Sequence, residues 1–206
     1  MNVDIEMRPT DVIRKEVCQR YGGKVVWVVP EGQVYTLNIT NNEDAAIIVS
    51  IFIDGLNLFT RLPMPQKLDD LCAHPDRTKL FHLIEPDCEH EFDGWRVDDE
   101  HAEEMVTTTD TAVSEAAYHG VDHRPGVIDI VIVRLRDTAK KSAPTHTGDA
   151  DAGMRFSCMT MTGNLFKSKK NVSPWWEKHG NICETVKDQM VHISVPYVTE
   201  EFLSTY

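Results

Sequence analysis

Apolar and polar positions alternate most regularly over residues 34–40. Tyr35, Leu37 and Ile39 fall on one face of an extended strand, and Val34, Thr36 and Asn38 on the other. Residues 46–53 are apolar apart from Ser50, which predicts a central strand covered on both faces. Asn41-Asn42-Glu43-Asp44, between the two runs, consists of residues that tolerate tight-turn backbone. Asp54-Gly55 then gives the strongest short hairpin signal in the chain, with residues 56–59 on the return. Residues 24–29 (KVVWVV) and 127–135 (VIDIVIVRL) are further β-branched runs. Asp129 lies inside the second, where it must meet solvent or a hydrogen-bonding partner.

Shorter runs complete the pattern. Residues 79–85, 89–95, 105–109, 155–162 and 190–197 each suit a strand. Pro30-Glu31-Gly32, Pro86-Asp87, Asp93-Gly94 and Arg124-Pro125-Gly126 punctuate them as turns or bends. Residues 98–104 are acidic and are expected to start a helix, while 112–118 fit either class. Residues 1–23 form an N-terminal arm with two readings: a helix over 11–18 capped by Thr10 or Asp11, or an edge strand in which Val3 and Ile5 alternate. Residues 24–206 make one sandwich domain.

Three stretches read as long loops. Residues 60–78 hold Pro63, Pro65 and Pro75 and a helical turn at 67–71. Residues 137–153 have almost nothing to bury and read as flexible. Residues 163–180 are bounded by glycine and hold Trp175-Trp176. A helical turn at 199–203, capped by Thr199, ends the pattern. So many short strands with so little helix predict an all-β fold: a β-sandwich, jelly-roll-like or immunoglobulin-like, with long loop insertions and at most short helices.

Composition narrows the function classes. With 206 residues, 41% of them hydrophobic, the chain can bury a core without staples. Its net charge of −12 repels a phosphate backbone, so direct nucleic-acid binding is disfavoured. The longest apolar run is far too short for a membrane span. Residues 1–6 have neither the basic nor the apolar region of a secretion signal. Cys18, Cys72, Cys88, Cys158 and Cys183 are an odd number at uneven spacing, so reduced thiols and a cytoplasmic or virion location are expected. On that reading, the glycosylation patterns at Asn38-Ile39-Thr40 and Asn171-Val172-Ser173 are chance matches.

Several blocks taken in order resemble a family. They are residues 34–42 (VYTLNITNN), 50–58 (SIFIDGLNL), Ile84-Glu85-Pro86, Phe92-Asp93-Gly94-Trp95-Arg96, 126–133 (GVIDIVIV), Thr162-Gly163 and Val195-Pro196-Tyr197 with Phe202-Leu203. The chain resembles a family of small β-sandwich proteins of bacteria, with similar chains suspected in large DNA viruses. The resemblance implies a β-sandwich scaffold and carries no established activity. Residues 60–78, Asn164 after Thr162-Gly163, and the loop with Trp175-Trp176 depart from the family pattern, and partner contacts are expected there.

Candidate chemistry is sparse. Cys72-x-His74 and Cys88-x-His90, with His82, are metal candidates, although a Cys-x-His pair must share one strand face to act together. Surface histidines and reduced thiols are the competing reading. His119, Asp122 and His123 with Asp98, Asp99 and His101 offer ligands or a general base, as polar loops often do by chance. No nucleophile elbow, phosphate-binding loop or dinucleotide fingerprint is present, and no cofactor is expected. Asp54, Gly55, Trp95 and Arg96 read as scaffold, with Trp95 filling the core rim and Arg96 pairing an acid such as Asp54 or Asp98. Trp175 and Trp176, beside Lys169 and Lys170, read either as interface anchors or as packing on the sandwich.

The expectation is a non-enzymatic structural or interaction protein. It would be a β-sandwich subunit of a larger assembly with protein partners, and a minor capsid or virion-associated protein if the viral resemblance holds. The alternatives are a small-ligand or carbohydrate-binding module, or a metal-dependent enzyme using the loop His, Cys and Asp residues.

Overall fold

A computed structural model gives the fold and describes residues 1–10, 18–21, 24–74, 77–98, 100–121, 125–135, 159–167 and 190–199. Its strands are β1 (Val3–Pro9), β2 (Cys18–Tyr21), β3 (Lys24–Val29), β4 (Val34–Asn41), β5 (Ile47–Ile53), β6 (Leu56–Asn57), β7 (His82–Ile84), β8 (Cys88–Phe92), β9 (Trp95–Arg96), β10 (His101–Thr108), β11 (Val127–Arg134), β12 (Met159–Lys167) and β13 (Met190–Thr199). Among the described residues, helix is confined to α1 (Asp69–Ala73), α2 (Arg77–Leu80), a 3-10 turn at Thr111–Val113 and α3 (Glu115–Tyr118).

The strands form two sheets. The first runs β1-β4-β10-β12, with β8 beside β4 and β9 beside β10; the second runs β2-β3-β13-β11-β5-β6, with β7 beside β5. The β3–β13 pair is parallel, joining an early strand to a late one.

The period-2 pattern decides what each face meets. Tyr35, Leu37 and Ile39 of β4 are fully buried against Ile47, Val49, Ile51 and Ile53 of β5, with Ile128, Ile130 and Ile132 of β11 beside them. This is the core between the sheets. Strand β5 is buried at every position, as its run of apolar residues around Ser50 requires. Its other face, Ile48 and Phe52, joins Val131 and Val133 beneath Leu71, Cys72, Leu80 and Phe81. The segment from Thr60 to Phe81 is therefore a cover for the outer face of the second sheet. Asn57 fastens this cover: its Nδ2 donates to Ser50 Oγ (3.0 Å) and to the Leu80 carbonyl (3.2 Å).

Two expectations change. Residues 101–104 open strand β10, where a helix was expected from residue 98, and the strand expected from residue 105 continues it. Glu103 and Glu104 are each engaged by a neighbour, Arg61 and Asn164, so the acidic stretch tolerates extended backbone. Residues 163–167, expected to open a loop, continue β12. Thr199 is the last residue of β13 and fully buried, and the rest of the helical turn expected at 199–203 lies outside the described residues. In the N-terminal arm, Val3 and Ile5 lie on edge strand β1, while residues 11–17 lie outside the described residues. So do loop 137–153 and residues 200–206.

Candidate functional site

The Asp54-Gly55 hairpin is the structural hub. Both residues have positive φ, 54° and 87°, as a two-residue hairpin turn of the favoured hand demands. The buried Asp54 carboxylate gathers the ends of three other strands. Oδ1 accepts from the Gly126 N–H (2.8 Å); Oδ2 accepts from the Thr160 N–H (2.7 Å) and the Tyr197 hydroxyl (2.7 Å). Thr160 Oγ1 continues the chain to Tyr197 (2.8 Å) and Tyr35 (2.6 Å). Burial pushes the Asp54 carboxyl up to about 7, against the opposing pull of these donors. The network is sealed in the core and offers nothing to a substrate.

The arginine at Trp95 is Arg61. Its guanidinium lies over the indole, 5.9 Å from the ring centre. It pairs with Glu115 (2.6 Å) and Glu103 (2.5 Å) and donates to the Arg96 carbonyl (3.2 Å). The expected pair of Arg96 with Asp54 or Asp98 is not formed. Asp54 is held as above, and Asp98 accepts from His101 Nδ1 and from the N–H groups of Glu100 and His101. Trp95 itself is fully buried in the core between the sheets.

The expected metal residues are not brought together. Cys72 is buried in the outer-face cluster, whereas Cys88 and His90 lie on β8 in the opposite sheet. His74 follows α1 on the cover side. Among the described residues, no group of three or more His, Cys, Asp or Glu is placed to hold a metal ion. What does meet is His82 with His90, Nε2 to Nδ1 at 3.2 Å, across the rim of the sandwich. His101 and His119 each engage a local acid, Asp98 and Glu115; Asp99, Asp122 and His123 lie outside the described residues.

Asp129 finds its partners on the neighbouring strand: Ser194 Oγ donates to it at 2.5 Å, and His192 Nε2 lies at 2.9 Å. These are the residue types of a nucleophilic triad, in the wrong arrangement. Serine and histidine both address one carboxylate oxygen, so the imidazole is not interposed between acid and hydroxyl.

Among the described residues, the most outward-facing apolar display is at residues 109–121. Asp110 caps the 3-10 turn, accepting from the Ala112 N–H, and Ser114 caps α3, accepting from the Ala117 N–H. Glu115 and Ala116 are buried, and Val121 packs into the core beside Gly55. On this anchored segment Val113 is 53% exposed and Tyr118 84% exposed. Sequence reasoning passed over both; the signal was the pair of caps at Asp110 and Ser114, which fixes a rigid turn with apolar residues left over. Trp175, Trp176, Lys169 and Lys170 lie outside the described residues.

No described helix is long and apolar enough to cross a membrane. No family model, curated protein or solved structure matches the chain.

Proposed function

We propose that this chain is a non-enzymatic structural or interaction protein, a β-sandwich subunit that works by contact with protein partners in a larger assembly. The display of Val113 and Tyr118 on a turn pinned into the core carries this reading. A large aromatic held out by a rigid support loses little entropy when it docks, and tyrosine is enriched where binding energy concentrates. The polar networks fit a scaffold, because their donors and acceptors are spent on holding strands together. A minor capsid or other virion-associated role is the concrete form suggested by the family resemblance, and that part rests on the resemblance alone.

Light scattering on the purified chain, alongside a tagged pull-down, tests the reading. The expected result is a species larger than the monomer, or a captured protein, that is lost in Val113→Asp/Tyr118→Asp while thermal stability is unchanged. A strict monomer that captures nothing overturns it. A complex that survives both substitutions moves the contact elsewhere and overturns the role of this segment.

A further inference from the structure

Strand β1 ends the first sheet on one side, and its register shows which of its backbone groups are spent. The ladder to β4 runs from Val3 opposite Asn41 to Pro9 opposite Tyr35. Beyond its two ends, the Asn42 N–H donates to the Asn2 carbonyl (3.0 Å) and the Thr10 N–H to the Val34 carbonyl (2.9 Å). Hydrogen-bonded pairs alternate along an antiparallel ladder, so Asp4, Glu6 and Arg8 bond to β4. The N–H and C=O groups of Val3, Ile5 and Met7 therefore point away from it. Among the described residues, β4 is the one strand beside β1. The outward row is a template for a further strand, and Pro9, which has no N–H, ends it.

The side chains around this row define what fits it. Val3 and Ile5 are only partly buried against the core between the sheets, so an apolar residue set beside them would extend that core. Asp4 and Glu6 are exposed on the outer face. On the same face, β4 presents Asn38 and Thr40, and β8 presents Glu91 and Glu89 opposite them. Arg8 is the one cation these three strands place there, and it is held by Glu6 (2.7 Å) and Glu89 (2.9 Å). A second copy fits badly. An antiparallel copy centred on Ile5, which uses the whole row, sets Asp4 against Glu6 of that copy at both ends. A shift of two residues either way puts Asp4 against Asp4, or Glu6 against Glu6, at the centre. The charges that oppose self-pairing favour a cationic strand.

We propose that the open edge of β1 docks an extended segment of another protein as an added strand. That segment carries Lys or Arg opposite Asp4 and Glu6, and a β-branched apolar residue between them opposite Ile5. Main-chain hydrogen bonds supply the attachment, and the alternating side chains supply the selectivity. The edge lies at the end of the sheet away from β12, on which α3 packs. It is therefore a contact separate from the display of Val113 and Tyr118.

Fluorescence anisotropy of the full chain with a labelled short peptide that alternates lysine with valine tests the site. The expected Kd is about 0.1 mM. A peptide with proline at the valine positions keeps the charge but loses the N–H groups that face the edge, and should bind about tenfold more weakly or worse. Asp4→Lys/Glu6→Lys changes only exposed side chains and should weaken the lysine–valine peptide by about tenfold or more. Tyr118→Asp should leave its binding unchanged. Amide hydrogen exchange by NMR reads the edge directly: at saturating peptide, exchange at Val3, Ile5 and Met7 should slow by about tenfold or more. Absence of binding at about 1 mM, equal binding of the proline peptide, or bound peptide without slowed exchange at these amides overturns the proposal. A dimer of the parent chain that already protects them overturns it in favour of a second copy.

Discussion

Asp54 shows how one residue can set the pH response of the fold. Its carboxyl is raised from 3.8 to about 7 by burial, so the folded chain keeps a proton that the unfolded chain has already released. The contribution of Asp54 to stability is therefore greatest below about pH 4, falls as pH rises toward 7, and levels off above it. Each tenfold difference in proton affinity between the folded and unfolded chain is worth about 1.4 kcal/mol, so the loss is several kcal/mol. Urea unfolding at pH 5 and pH 8 should show this fall in the parent chain and a flattened profile in Asp54→Asn. That variant should also be less stable at pH 5, by about 1–3 kcal/mol, because an amide cannot accept from both Thr160 and Tyr197 with its nitrogen in place of Oδ2. Arg61 makes the second residue-scale case. Arg61→Leu leaves Glu115 and Glu103 facing each other without their cation and should cost about 3 kcal/mol by chemical denaturation. Retained stability in that variant would remove Arg61 from the account.

At the scale of elements, β12 depends on a glycine. Between Glu103 and Met105 the register of the β10–β12 pair shifts, and residues 163 and 164 stand opposite Glu104 alone. A Cβ on Gly163 would lie 2.7 Å from Glu104 Cβ and 2.8 Å from Val106 Cγ2. Gly163→Ala should therefore lower Tm, with a cost of about 1–3 kcal/mol; an unchanged Tm would contradict the packing described. The strands themselves were largely legible in the sequence. Runs rich in β-branched residues at β5 and β11 leave few alternatives, and Asp54-Gly55 specifies the hairpin. The cover was harder to read. The segment from Thr60 to Phe81 looks like a proline-punctuated loop, yet the apolar outer face of β5 demanded something above it, and Leu71, Cys72, Leu80 and Phe81 supply it. Residues 98–104 misled because their acids were weighed as helix-start signals, while Arg61 and Asn164, distant in sequence, decide the outcome. Arg61 was missed for the same reason: its partners Trp95, Glu103 and Glu115 lie far off in sequence, and Arg96 was read as the arginine that pairs an acid.

The whole molecule joins a closed scaffold to a displayed surface. The hub at Asp54 and the Arg61 network each tie together strands or turns far apart in sequence, and the His82–His90 contact joins the two sheets across one short connection. The segment at residues 109–121 is held by the same hub, through Val121 against Gly55. Tyr118 meets its neighbour His119 edge-on and is otherwise turned outward, as Val113 is, so replacing them should alter association and leave folding intact. Photocrosslinking from position 118, with the same photoreactive residue at exposed Asp69 as control, tests the central claim most directly. The account predicts a discrete crosslinked protein or second copy from position 118, absent from the control and lost on adding Val113→Asp. A chain that crosslinks equally from both positions, or from neither, would contradict it.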